Sequence, residues 1–234
     1  TPRRDRLVVE YNTSTNPTFE GAVRDTSGRG NDGMFYGGAS YDATEKALEF
    51  TDHNKALVVG RDNISCVSGD ILGTISLWFK TNDTTQQVGM TMFQIGHANT
   101  TGDKLYLFLY EDDVYMGWGG SNYVYAPSSD VKAGKWTHVV GIKKGTGAVG
   151  DGTIQSGHTA VMELYIDGVK KSVTNWNGKN MYVLQEGNMS NTHEGFVFLS
   201  VPSNSNKKVW VNLFTCFKFV YLYWFYTWKY ILFN

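Results

Sequence analysis

Apolar and polar residues alternate along much of this chain in short runs closed by glycine, proline, asparagine or aspartate, the pattern of β-strands joined by tight turns. Two central runs carry it most clearly. In Gly134-Lys135-Trp136-Thr137-His138-Val139-Val140, Trp136, His138 and Val140 fall on one side of a pleated segment and Thr137, Val139 and Gly141 on the other. Met162-Glu163-Leu164-Tyr165-Ile166 is a second strand, and Asp167-Gly168 after it supplies the positive φ angles of a type I′ turn. The chain should therefore fold straight back along Val169 to Val173.

Further strands are expected at Leu7 to Tyr11, Met34 to Tyr36, Ala47 to Phe50, Ala56 to Val59, Gly73 to Lys80, Met92 to Ile95, Lys104 to Tyr110 and Val114 to Trp118. Two more follow at Tyr182 to Leu184 and Phe196 to Val201. Asn16-Pro17-Thr18 ends the first of these, because proline cannot donate to a ladder. In Gly73 to Lys80, Ile75, Leu77 and Phe79 oppose Thr74, Ser76 and Trp78, and Trp78 and Trp136 are both expected to be buried. Evenly spaced strands without an amphipathic helix predict an all-β, two-sheet antiparallel sandwich. At 234 residues such a sandwich accounts for the chain as one unit.

Several motifs narrow this further. The Trp-x-His strand at 136–138 and the Tyr-x-Asp-Gly hairpin at 165–168 resemble the laminin G-like, concanavalin A-like lectin-glucanase superfamily of jelly-roll domains. So do Asp25-Thr26-Ser27-Gly28-Arg29-Gly30-Asn31-Asp32-Gly33, the Ala-Leu-x-Phe run at 47–50 and Thr74-Ile75-Ser76-Leu77-Trp78. The resemblance implies a jelly-roll fold, a recognition role, and a calcium ion held at the sandwich rim in many relatives. No helix is expected after the Gly-rich loop, so its spacing does not read as a phosphate cradle. The Gly145 to His158 insertion reads as a surface loop. Family likeness runs out near Ser203, dividing the chain into a jelly-roll domain over 1–206 and an atypical apolar, aromatic tail over 207–234.

From Val209 to Phe233 only Asn212, Thr215, Lys218, Thr227 and Lys229 interrupt aromatic and aliphatic residues. As a membrane helix the segment is balanced at best. Its Leu, Ile, Phe and Val residues favour insertion by roughly 4 to 7 kcal/mol, while Lys218 alone opposes it by about 2.5 to 3.5 kcal/mol. Membrane spanning is thus disfavoured. Two other readings stay open: translation of AT-rich sequence outside the natural frame, or a replacement closing strand at Val209 to Phe214 with the rest packed on a partner.

A net charge of −1 and a pI near 6.5 give no basic stripe for nucleic acid. Arg3, Arg4 and Arg6 cluster, and read as a disordered, solvated arm. Cys66 and Cys216 are left unpaired, since sequence sets no distance between them. Sequons at Asn12, Asn63, Asn82, Asn99 and Asn188 suit an exported, extracellular or particle-surface protein; the stretch from Thr1 does not read as a signal peptide, and the absent initiator Met leaves open that one was removed.

Glucanases of this class carry Glu-x-Asp-x-x-Glu on one strand, with both carboxylates on the same face. Here Glu111-Asp112-Asp113 is followed by Met116 where the second glutamate would stand. Glu163 to Asp167 has the wrong interval and ends in the turn. With neither a nucleophile elbow nor a cysteine beside a histidine, no catalytic role is expected. The histidines at 53, 97, 138, 158 and 193 lack metal-ligand spacing, and His138 reads as a neutral core residue bonded to a backbone carbonyl. For calcium, which takes oxygen ligands from loops, the candidates are Asp25, Asn31, Asp32, Asp103, Asp112 and Asp113, with the Asp25 loop structural first. A glycan or protein ligand would meet rim aromatics at Trp118, Tyr123, Tyr125 and Trp176, where rings stack on sugars. The alternative is a structural component of a surface, matrix or virus particle whose tail docks into a neighbouring subunit and drives oligomerisation.

Overall fold

The computed structural model describes residues 4–14, 22–37, 39–51, 56–60, 73–82, 90–96, 104–110, 113–118, 122–126, 130–144, 161–172, 174–176, 195–199 and 208–218. They form strands β1 (Leu7–Asn12), β2 (Ala22–Val23), β3 (Gly33–Tyr36), β4 (Ser40–Asp42), β5 (Ala47–Phe50) and β6 (Ala56–Gly60). There follow β7 (Gly73–Thr81), β8 (Met90–Gly96), β9 (Lys104–Tyr110), β10 (Asp113–Trp118), β11 (Asn122–Ala126) and β12 (Thr137–Lys144). The last are β13 (Val161–Ile166), β14 (Val169–Lys170), β15 (Thr174–Trp176), β16 (Gly195–Leu199) and β17 (Val209–Lys218). One sheet runs β14-β13-β12-β7-β17-β5-β4 with β1 also on β17; the other runs β15-β11-β10-β9-β8-β16-β6-β3-β2. All pairings are antiparallel. This is the two-sheet jelly-roll sandwich that the strand spacing and motifs predict.

The hairpin after β13 forms as its residues dictate. Asp167 and Gly168 take φ of 47° and 78°, the Asp167 N–H donates to His138 O at 2.8 Å, and the Lys171 N–H donates to Leu164 O at 2.9 Å. The return strand is shorter than expected, ending at Lys170 rather than Val173.

The core lies between the sheets and is built from one parity of each strand. Ile75, Leu77 and Phe79 of β7, Val139 of β12 and Leu164 of β13 meet Phe93, Leu107, Leu109 and Met116 of the other sheet. At Gly141 the two sheets pack tightly, since a Cβ there would stand 2.9 Å from Met116 Sδ. Trp78 and Trp136 are not in this core, contrary to expectation. Thr137 and Val139 point inward, so Trp136, His138 and Val140 take the outer side, and Trp78 is 38% exposed there.

The C-terminal region supplies the largest departure from the expected division at residue 206. β17 lies inside the first sheet, paired with β7 along one edge from Val209↔Thr81 to Lys218↔Gly73. Its other edge pairs first with β5, from Val209↔Phe50 to Val211↔Leu48, and then with β1, from Leu213↔Asn12 to Phe217↔Leu7. A polar residue every few positions, which made a bilayer helix costly, suits a strand in a sheet. The expected closing strand therefore exists, and it extends four residues beyond Phe214. Among the described residues no helix is long and apolar enough to cross a membrane. Residues 219–233, the expected strand Tyr182 to Leu184, Cys66 and the 145–158 insertion lie outside the described residues.

The N-terminal arginines also differ from a free arm. Arg4–Arg6 form a 3-10 turn, and Arg4 donates to Thr26 O at 2.6 Å and pairs with Glu10 at 3.1 Å. A main-chain acceptor fixes what charge alone would leave mobile.

Candidate functional site

The outer face of the nine-stranded sheet carries a row of aromatic rings. In Lys104–Tyr110 the consecutive residues Leu107, Phe108 and Leu109 are all buried, so side chains on both sides of this strand are covered there. Leu105, Leu107 and Leu109 share the core parity, and Tyr106, Phe108 and Tyr110 take the other. Phe108 pairs with Tyr115 across β9 and β10, and Tyr115 with Tyr125 across β10 and β11. The rings follow the register. Phe108 stacks on Tyr115 at 4.9 Å and 14°, Tyr115 stacks on Tyr125 at 5.2 Å and 22°, and Tyr110 meets Tyr115 edge-on at 6.0 Å. Such pairs contribute about 0.5–1.5 kcal/mol each beyond their buried area. Phe108 and Tyr115 are 1% and 5% exposed, whereas Tyr125 is half-buried. The row is thus a rigid, dry support that presents its last ring at the β11 side.

The register brings together three of the four aromatics named from sequence. Tyr123 pairs with Trp176 and Tyr125 with Thr174, so positions 123, 125 and 176 share one parity at the β11–β15 edge. Trp118 does not join them. It pairs with Asn122 and Leu105, on the parity of the buried Met116 and Val124. Sequence reading missed Phe108 and Tyr115, although Tyr106, Phe108 and Tyr110 alternate with leucines in the sequence itself.

The Asp25 loop proves to be an edge seal. Asp25 is 7% exposed. Its Oδ1 accepts from the Glu10 N–H at 2.9 Å and the Ser27 N–H at 2.8 Å, and its Oδ2 from the Asn31 N–H at 2.9 Å and the Ser27 hydroxyl at 2.7 Å. Asn31 Nδ2 donates to Val8 O at 2.7 Å, the Thr26 N–H to Glu10 O at 2.9 Å, and the Arg29 guanidinium to Leu7 O. The loop thereby satisfies the edge of β1 that β17 leaves open, as a neighbouring strand would. Asp32 accepts from the Asp25 N–H at 2.7 Å. Burial, with Asp25 and Asp32 adding to it, raises the Tyr11 pKa well above its ordinary value, so its hydroxyl stays a donor, to Asn31 O at 2.5 Å.

This geometry does not fit calcium at Asp25, whose two oxygens are already engaged by four donors. Asn31 Oδ1 is the one buried side-chain oxygen of this loop without a hydrogen-bond partner, whereas calcium takes six to eight oxygens. Asp113 lies at the start of β10, away from this loop, and Asp103 and Asp112 are outside the described residues. Among the described residues no three His, Cys, Asp or Glu side chains converge on a metal position.

The outer face of the other sheet holds a pair that the sequence did not suggest. His138 Nε2 lies 2.8 Å from Ser76 Oγ, so its partner is a hydroxyl and not the expected backbone carbonyl. Its ring stacks on Trp78 at 4.9 Å and 18°. Burial lowers the His138 pKa, with Asp167 pulling the other way. Asp167 Oδ1 accepts from the main-chain N–H of His138 at 2.9 Å, so this carboxylate does not orient the imidazole as a catalytic triad requires. Glu163 is bonded to Lys170 at 2.8 Å and Tyr165 at 3.2 Å.

The sequence over residues 61–190 matches the laminin G-type profile of the concanavalin A-like lectin/glucanases superfamily. The chain belongs to this superfamily. No curated protein matches the sequence. Among solved structures it is similar to the receptor-binding domain of the botulinum neurotoxin C/D mosaic serotype, with a TM-score of 0.61 and 15% identity over 92% of this chain and 48% of that one. The receptor-binding domain of botulinum neurotoxin D gives 0.59 and 14%, over 92% and 50%. The binding domain of neurotoxin DC, solved in complex with SialylT, gives 0.60 and 14%, over 92% and 48%. The superfamily member described here spans about half the length of those domains, and at such identity the likeness is one of fold.

Proposed function

We propose that the chain is a non-catalytic recognition module that binds a glycan at the β11–β15 edge of the nine-stranded sheet. The observation that carries this reading is the stack Phe108–Tyr115–Tyr125, two buried rings holding a third that is half-buried. A ring held rigid in advance loses little side-chain entropy when a pyranose covers it. Residues 123 and 176, placed beside it by register, are proposed as further contacts. The site uses a sheet face and its edge, not rim loops alone. The superfamily includes lectins, and the similar binding domain of neurotoxin DC was solved in complex with SialylT. An extracellular or particle-surface setting suits such a module.

The assembly alternative loses Val209–Lys218 to the sheet and keeps only residues 219–234 for docking. A glycan array probed with the full chain, followed by titration of the best binder against Tyr125→Ala, tests the primary reading. Binding should weaken about tenfold or more, which is 1.4 kcal/mol, with the far-UV spectrum unchanged. Failure to bind any glycan, or unchanged affinity in the folded variant, refutes it.

A further inference from the structure

We infer that the chain carries a second saccharide site, on the outer face of the eight-stranded sheet, where the Trp78 indole stacks on a pyranose ring. It goes beyond the reading above and does not depend on it, since Tyr125 belongs to the opposite sheet. Trp78 lies on the outward side of β7 and is 38% exposed. It is held there from one side. The indole stacks on the His138 ring at 4.9 Å and 18°, and that ring is fixed by Ser76 Oγ, 2.8 Å from Nε2. The His138 main chain is tied in turn to Asp167, donating to Oδ1 at 2.9 Å and accepting from the N–H at 2.8 Å. The exposure of Trp78 therefore falls on the part of the indole turned away from His138. Its orientation is set before any ligand arrives, which spares entropy on binding.

The residues beside it point to a sugar rather than a protein partner. A protein hot spot sits within contacts that shut out water. Along β7 the outward neighbours of Trp78 are Ser76 and Lys80, and across β12 the neighbour is His138, all hydrogen-bonding side chains. Lys80 is engaged with Glu45 at 2.5 Å and lies over the Trp136 ring at 5.6 Å. Among the described residues neither the Trp78 indole N–H nor His138 Nδ1 has a hydrogen-bond partner. An aromatic ring for the C–H-rich side of a pyranose, with a few polar atoms for its hydroxyls, is what a saccharide requires. Sheets in a sandwich lie about 10 Å apart, and the Trp78 and Tyr125 sites face away from each other. The module thereby bridges two glycan chains and gains avidity on a surface that displays many.

The test follows the indole N–H signals of the isotope-labelled full chain by NMR during titration with lactose, maltotriose and N-acetylchitotriose. The Trp78 signal is the one missing from Trp78→Phe. At least one of these sugars should shift it, and the shift should persist in Tyr125→Ala. Beads coated with that sugar should retain Tyr125→Ala about tenfold or more better than the double variant Trp78→Ala/Tyr125→Ala, with the far-UV spectra of both unchanged. A Trp78 signal that none of the three sugars moves overturns the inference and leaves the Tyr125 site to its own titration. A shift that vanishes in Tyr125→Ala overturns it too, because the sugar would then be bound at the β11–β15 edge alone. A Trp78 shift in a chain whose overall affinity Tyr125→Ala leaves untouched refutes the edge reading, and the second site stands without it.

Discussion

Replacing Asp25 by alanine should be among the most damaging single changes in the protein, although this residue stands in a loop. The carboxylate accepts four hydrogen bonds, and two of its donors, the N–H groups of Glu10 and Asn31, are part-buried or buried. A buried donor left without an acceptor costs about 1–3 kcal/mol, so these two together give roughly 2–6 kcal/mol. Ser27 is nearer the surface, and its N–H and hydroxyl can turn to water. For a chain of this size, that loss corresponds to a fall in melting temperature of roughly 5–20 °C. Urea denaturation followed by far-UV circular dichroism measures it. Ser27→Ala, which removes one hydroxyl donor and strands no buried group, should cost under about 1 kcal/mol. The deficit should be the same in calcium and in EDTA. A loss below about 1 kcal/mol in Asp25→Ala would refute the edge-seal account. So would a calcium-dependent rise in the wild-type melting temperature that the substitution abolishes, because a metal bound only to the native state stabilises by mass action.

Three further outcomes are expected. Phe79→Ala should cost about 3–5 kcal/mol from the buried side of β7, and Trp78→Ala, one residue along and facing out, clearly less; equal losses in denaturant titrations would mean that the faces are assigned wrongly. Because burial lowers the folded-state pKa of His138 below the unfolded 6.5, its contribution is intact above 6.5 and is lost as pH falls from there through the lower folded-state pKa. The urea midpoint should therefore drop more steeply from about pH 7 to pH 5 in the wild type than in His138→Gln. Gly33→Ala places a Cβ within 2.8–3.0 Å of three atoms of the buried Leu57 and should cost about 1–3 kcal/mol by overpacking, read from thermal melts.

The sequence made the hairpin legible because Asp167-Gly168 leaves the backbone few alternatives, and most strands because their alternation is uninterrupted. The inner side of β7 was legible, since Ile75, Leu77 and Phe79 alternate with Thr74, Ser76 and Trp78, and only the burial expected for Trp78 failed. In β12 the inner side was not legible, because Val140 opposes Val139 and each side is apolar enough. Only the pairing of the sheets decides, and it sets Trp78 against His138 outside. The same ambiguity separated Trp118 from Tyr123, whose shared face depends on the β10–β11 register. Short strands such as Ala22–Val23 and Ser40–Asp42 have no pattern to read and exist because a neighbour offers an edge. The tail was obscured for a different reason. Its Phe, Tyr and Trp bias invites a membrane reading, and only the facing edges of β7, β5 and β1 show what Val209–Lys218 is for.

That arrangement has a kinetic consequence. β17 pairs with β1 across roughly two hundred residues, a closure whose entropy must be met before any contact repays it. A ribosome releases β1, β5 and β7 long before the strand that joins them, and each waits with an unpaired edge. Folding should then be slow, with a vulnerable interval before Val209–Lys218 arrives in which these edges recruit one another between chains. A product that stops short of Val209 would keep every residue of the aromatic row and still lack the strand at the centre of the opposite sheet. Arrival of Val209–Lys218 thus becomes the step that commits this sandwich to its fold, because only that strand joins β7 to β5 and β1.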